Sequence, residues 1–213
     1  IRLGADTGLA SARGAAWRQT DPDRTGFPPS LMAGYSHERW VDYLLDMPMM
    51  FFKKDGAFVA AQGCTFRRYM ESGLQSSFPD WSDWELHQTS VFPEVRVKHF
   101  IELRGPDACP IPLALAGIAM WAGVLYNEDG LAQATELASQ FAQAQPSALA
   151  FDGACREGLA YSLGGQSLSS WAGALLRMAR QGLQVWQPSA VPLLLPLAQL
   201  IVRGESPATA HRL

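Results

Sequence analysis

Charge is spread unevenly along this 213-residue chain, and that asymmetry limits the folds open to it. Residues 1–110 hold 12 basic and 14 acidic side chains, whereas residues 111–213 hold only 5 and 6. The second half is rich in Ala and Leu, so it has to bury most of its surface by packing helix on helix. Apolar periodicity predicts helices over 112–126, 130–144, 153–162, 167–186 and 190–203. In the fourth, Leu168, Trp171, Ala172, Leu175, Ala179, Leu183 and Trp186 fall on one face, which reads as core packing. Polar chemistry therefore belongs to the first half.

That half reads as short elements. Residues 4–30 are predicted to be loop with one short helical turn, around the turn Asp21-Pro22-Asp23. Ser36 is placed to cap a helix over 37–46. Residues 49–52 and 57–61 read as strands joined at Asp55-Gly56. Thr65 caps a short helix, 72–80 is loop, and Ser82 with Glu85 has the spacing of a capping box. With Val95–Leu103 as a further strand, the fold class is α+β: residues 1–110 carry the sheet and the candidate site, and 111–213 form a helical region within the same domain.

Several function classes are excluded. Hydrophobic residues are 48% of the chain and charged residues 17%, a globular rather than disordered composition. A net charge of −3 supplies no basic field for nucleic acid or an anionic membrane. No apolar run reaches the length of a membrane span. The cysteines Cys64, Cys109 and Cys155 are odd in number and contain no CxxC, which reads as reduced thiols in a cytoplasmic protein. Phosphate-loop, dinucleotide-binding, GxSxG and HExxH motifs are absent from the sequence.

Residues 95–104 are the most informative segment. Alternation puts Val95, Val97, Ile101 and Leu103 on one face and Arg96, Lys98, Glu102 and Arg104 on the other, interrupted by Phe100. The expectation is one packed face and one charged face. A solvated surface strand has this pattern. So does a sheet face lining a cleft for phosphates and carboxylates, where guanidinium groups bind bidentately and a carboxylate suits Mg²⁺. Arg13, Trp17 and Arg24 form a second cluster in a glycine-containing segment; it is either plain surface or a binding loop.

Five segments occur in an order that resembles a known family. They are ARGAAWRQTDPDRTG (12–26), ERWVDYLLDMPMMFF (38–52), GCTFRRYM (63–70), DWELHQTSVFPEVRVKHFIELRGPD (83–107) and GVLYNEDGL (123–131). Together they resemble the C-terminal half of glutamate–cysteine ligases of the plant and proteobacterial type. GESPATAHRL (204–213) is similar to the family's closing segment, and ELRGPD (102–107) is similar to a strand end of glutamine synthetases.

The resemblance implies a curved antiparallel sheet like that of glutamine synthetase, with helices outside. It implies an ATP-dependent reaction, the first step of glutathione biosynthesis. ATP phosphorylates the γ-carboxylate of glutamate, and the amine of cysteine then displaces phosphate. Arg104 is the implied catalytic contact to the phosphate and Glu102 the implied Mg²⁺ ligand. Arg13, Met50 and Trp17 are the implied substrate-binding residues, with Arg13 on the glutamate carboxylate. Arg96 and Lys98 add positive potential for ATP.

Two departures follow from the same comparison. Met50 stands where the family has a Tyr lining the cysteine pocket, so bulk is kept and a hydroxyl is lost. Another small amine is therefore an alternative acceptor. The family's N-terminal half is not among these residues, so its metal carboxylates and part of the nucleotide site are expected from elsewhere. The segment by itself is expected to be inactive, and a non-catalytic binding remnant is the remaining alternative.

Overall fold

The computed structural model describes residues 5–28 and 34–210 and divides the chain into two units, Trp17–Gly105 and Ile1–Ala16 with Pro106–Leu213. Helices α1–α10 are Ala12–Trp17, His37–Asp46, Phe66–Ser72, Trp81–Thr89, Ile111–Leu125, Glu128–Ala144, Ser147–Glu157, Leu168–Trp186, Leu195–Arg203 and Pro207–Ala210. Strands β1–β8 are Thr25–Gly26, Phe51–Lys54, Ala57–Ala60, Phe92–Pro93, Val95–Val97, Ile101–Leu103, Ser162–Leu163 and Gln166–Ser167. The class is α+β.

Among the described residues the strands form four separate two-stranded ladders rather than one curved sheet, and the β1–β4 ladder is parallel. Strands of two to four residues have too few backbone groups to knit a broad sheet by themselves.

The unit Trp17–Gly105 packs α2–α4 against the β2–β3 hairpin. Ser36 and Thr65 cap α2 and α3, their side chains accepting from the N–H groups of Arg39 and Arg68. The α4 cap differs from expectation. Asp80 and Asp83 form the reciprocal box, so the helix starts two residues before Ser82 could have capped it. Met49, Phe52, Phe66 and Tyr69 fill the core under the hairpin, and Trp40, Leu44, Met47 and Val91 form a second cluster. His87 is buried beside Phe66, and its Nε2–H donates to the Leu44 carbonyl at 2.7 Å. Burial holds its imidazole below the ordinary pKa.

The second unit is helical. α5 and α8 cross at two glycines. A Cβ on Gly123 would fall 2.2 Å from the Ala179 carbonyl oxygen, and one on Gly182 would fall 1.9 Å from the Gly123 carbonyl oxygen. Only a residue without a side chain allows that approach. Trp171, Ala179 and Leu183 of the predicted α8 face are buried, whereas Trp186 is 42% exposed. The predicted helix over 153–162 lies at Ser147–Glu157 instead, starting just after Pro146. The predicted helix over 190–203 begins as a 3₁₀ segment, Pro188–Leu194, and becomes α-helical at Leu195. Pro192 has no N–H to give a regular α-helix there. Among the described residues no single helix is long and apolar enough to cross a membrane. Residues 211–213 of the closing segment lie outside the described residues.

Candidate functional site: an arginine cluster on Phe92

Residues 95–103 are not one strand. β5 and β6 form an antiparallel hairpin with Val95 opposite Leu103, Arg96 opposite Glu102, and Val97 opposite Ile101. Residues directly opposite share a face, so alternation grouped the side chains correctly. The expected packed face holds only in part: Val97 packs against the Trp40–Val91 cluster, but its face-mates Val95 and Ile101 do not, and Arg96 on the charged face is buried. Val95 is 47% exposed and Ile101 65%, while Arg96 is only 7% exposed. The turn at 98–100 lets the chain fold back, so the buried Arg96 meets a partly exposed Glu102 that neutralises it.

The cluster is built on Phe92. The Phe92 N–H donates to the Arg24 carbonyl at 2.9 Å, and the Glu94 N–H donates to the Gly26 carbonyl at 3.0 Å. The Arg104 N–H donates to the Glu94 carbonyl at 2.9 Å, which sets Arg104 beside the same strand. The guanidinium carbons of Arg96 and Arg104 then lie 5.9 and 5.6 Å from the Phe92 ring centre. Such a ring face attracts cations. Trp17 stacks on Phe92 with centroids 6.4 Å apart.

Glu102 links the two guanidiniums. Arg96 Nε donates to Oε2 at 2.7 Å, and Arg104 Nη1 donates to Oε1 at 3.0 Å. Arg96 Nη1 also donates to the Val91 carbonyl at 3.1 Å. The Arg96 hydrogen bond holds the Glu102 carboxyl below the usual range against partial desolvation. The charges of Arg96, Arg104 and Lys98 act in the same direction. The result is a rigid pair of cations on an aromatic floor, a form suited to an oxyanion.

Of the residues predicted to form a site, the structure thus gathers Trp17, Arg96, Glu102 and Arg104. Lys98 lies in the exposed hairpin turn, where its backbone N–H bonds the Phe100 carbonyl. Met50 immediately precedes β2 and is 47% exposed. Arg13 belongs to the other unit and faces Asp107 there at 3.5 Å.

Besides Arg96, the charged residues Arg24, Asp83 and Glu94 are buried in this unit. Glu94 is buried, and the strand was predicted to start one residue after it. Extending the alternation back from Arg96 by two residues identifies it. Arg24 stands out in its loop by sequence, yet its burial brings it to Pro48, 24 residues away, a contact that no local pattern carries.

Among the described residues no three His, Cys, Asp or Glu side chains come together as a metal cage. Both Glu102 oxygens are already occupied by guanidiniums. The described residues therefore do not form a Mg²⁺ site of their own. A groove of about 530 Å³ lined by Val41, Leu45, Phe66, Met70, Trp81 and Trp84 is apolar apart from Asp80 and includes none of the predicted site residues.

The sequence profile of glutamate-cysteine ligase family 2 matches residues 1–209. The chain belongs to this family. A chloroplastic glutamate–cysteine ligase of Brassica juncea is 34% identical over 209 residues, covering 96% of this chain and 40% of that protein. One from Arabidopsis thaliana is 36% identical over 146 residues, covering 67% of this chain and 28% of that protein. One from Solanum lycopersicum is 30% identical over 209 residues, again 96% and 40%. The chain thus spans less than half the length of these family members. Their names overturn the expected cytoplasmic location, which rested on cysteine usage alone: reduced thiols do not distinguish one reducing compartment from another, and the relatives are named chloroplastic.

Proposed function

We propose that the chain is the C-terminal part of an ATP-dependent glutamate–cysteine ligase acting in glutathione biosynthesis. Residues 1–110 would contribute part of a larger curved catalytic sheet, as in glutamine synthetase, and 111–213 its helical flank. Family membership supports the ligase class, and one observation carries the assignment to this region: two guanidiniums locked by Glu102 above the Phe92 ring. Phosphorylation of the glutamate γ-carboxylate by ATP and expulsion of phosphate from the acyl phosphate both move negative charge. A preorganised pair of arginines stabilises such charge without reorganising.

In this reading Arg104 contacts the transferring phosphate, and Arg96 and Lys98 strengthen the local potential for ATP. Arg13 holds the glutamate carboxylate. Trp17 and Met50 border the substrates. Glu102 is the candidate Mg²⁺ ligand. To serve, it would have to give up a guanidinium partner, with the remaining ligands coming from other parts of the longer protein. Mg²⁺, if held there, would neutralise phosphate charge.

The test is ADP release by the full-length protein given ATP, Mg²⁺, glutamate and cysteine. Cysteine-dependent turnover is expected, and cysteine-independent turnover or none counts against the reading. The 213 residues alone are expected to be inactive, and turnover by them would remove the need for a partner half.

A second reading is favoured by Met50, which is half exposed and offers no hydroxyl. It is a related carboxylate–amine ligase using another small amine. A panel of amines in the same assay separates the two.

A further inference from the structure

Arg24 joins three segments of the unit Trp17–Gly105. Its side chain is buried, with the residue 7% exposed. Nη1 donates to Asp21 Oδ2 at 2.7 Å, and Nη2 donates to the Pro48 carbonyl. Its own carbonyl accepts from the Phe92 N–H at 2.9 Å. One residue thus connects the turn at 21–23, the segment leading into β2, and the strand that carries the floor of the arginine cluster.

The contact to Pro48 is chemically specific. Proline has no N–H, so its carbonyl is the backbone group by which this point can be held. Met50 follows two residues later, and its carbonyl accepts from the Ala61 N–H at 3.2 Å. Among the described residues Arg24 Nε has no hydrogen-bond partner. A buried guanidinium with an unused donor is a stability liability, and an apolar side chain of similar volume would fill the space without it. What an apolar side chain could not do is reach Asp21 and Pro48 at once with a planar fork.

We propose that Arg24 is a positioning residue for the amine acceptor. It fixes the Pro48–Met50 segment relative to the Phe92–Arg96–Arg104 cluster, so that the amine meets the activated carboxylate at a set distance. Arg24 does not itself touch substrate. The proposal rests on the ligase reading, in which Met50 borders the acceptor. It extends that reading by giving acceptor selectivity a structural origin outside the pocket. The required precision is high, because small misplacements of reacting groups lower rates steeply.

The experiment uses the full-length protein and compares wild type with Arg24→Lys and Asp21→Asn. Lys keeps the charge but cannot span both partners. Asn leaves Arg24 in place and weakens one arm. For each protein the KM values for ATP, glutamate and amine, the preference among a panel of amines, and the thermal midpoint are measured. Arg24→Lys should raise the acceptor KM about tenfold, the effect of losing one charge-assisted hydrogen bond. It should also flatten the preference among amines, with the ATP KM held within about twofold. Asp21→Asn should move the same quantities in the same direction by less. If Arg24→Lys does not fold, Asp21→Asn carries the test.

A variant that lowers only the thermal midpoint, or raises the ATP and acceptor KM equally, overturns the proposal. Wild-type protein with no turnover on any amine overturns the ligase reading and the proposal together. An active wild type whose acceptor preference ignores both substitutions overturns the Arg24 role alone.

Discussion

Arg96 and Glu102 face each other across the β5–β6 ladder, their Nε and Oε2 atoms 2.7 Å apart, and the arginine is the more buried of the two. This inverts the usual order in which the long cation reaches solvent and the carboxylate is covered. The hairpin is thereby pinned by a charge pair while its Val95 and Ile101 side chains stay outside.

Replacing Arg104 with Ala in the full-length protein should lower kcat by roughly two orders of magnitude or more, the scale of losing one donor to developing charge. Steady-state ADP release measures it, and near-normal kcat would remove Arg104 from the reacting phosphate.

Glu102→Gln and Ile101→Thr, one residue apart, should behave oppositely. The first removes the negative charge and one of the two oxygens that accept from Arg96 and Arg104, and should destabilise the protein by roughly 1–3 kcal/mol. The second replaces an exposed side chain and should stay within about 0.5 kcal/mol of wild type. Urea unfolding of both variants gives the comparison. A core-like penalty for Ile101→Thr would restore the packed-face reading.

That contrast shows what could be read from the chain beforehand. Period-two alternation correctly placed Arg96 with Glu102, because parity survives a turn that keeps residues in opposite register. Alternation holds no information about which face meets the core; that depends on Thr89, Val91 and Phe92 lying beneath Arg96. Helix existence in the second half was legible for the same local reason, and Ser36 and Thr65 announced their caps. The 3₁₀ segment, the α7 boundaries and the separate ladders were not, since each is decided by distant partners. Trp17 and Arg104 could be nominated by resemblance, but their shared contact with Phe92 is purely tertiary.

Stability should fall as pH drops below about 6.5, the ordinary value for His87. Burial keeps the folded imidazole neutral, while the unfolded chain takes up the proton, so the unfolded state binds more protons in this window. The stabilisation is complete above 6.5 and diminishes until the folded pKa is reached. Denaturant midpoints at pH 8 and pH 5.5 should differ, and His87→Gln should reduce the difference. An equal pH response in wild type and variant would assign the effect elsewhere. The depressed Glu102 carboxyl acts separately: its contribution is present above 4.5 and is lost in stronger acid.

Gly123→Ala should cost about 1–3 kcal/mol or more, because its methyl group meets Ala179 backbone rather than a side chain that can rotate away. Gly117→Ala, on the same helix with nothing within 4 Å of the added carbon, is the control and should be neutral or stabilising. Similar losses at both positions would mean that α5 and α8 can separate freely.

The Gly123–Gly182 contact also bears on how this protein can evolve. Every single-base change in a glycine codon that replaces glycine with another amino acid introduces a β-carbon, so no one-step replacement fits either position while the helices stay in place. Drift at one site cannot be rescued by its opposite number, which is already as small as an amino acid can be. Variation in the helical unit has to pass around this point, and two codons far apart in the gene are held to the same residue by a single crossing.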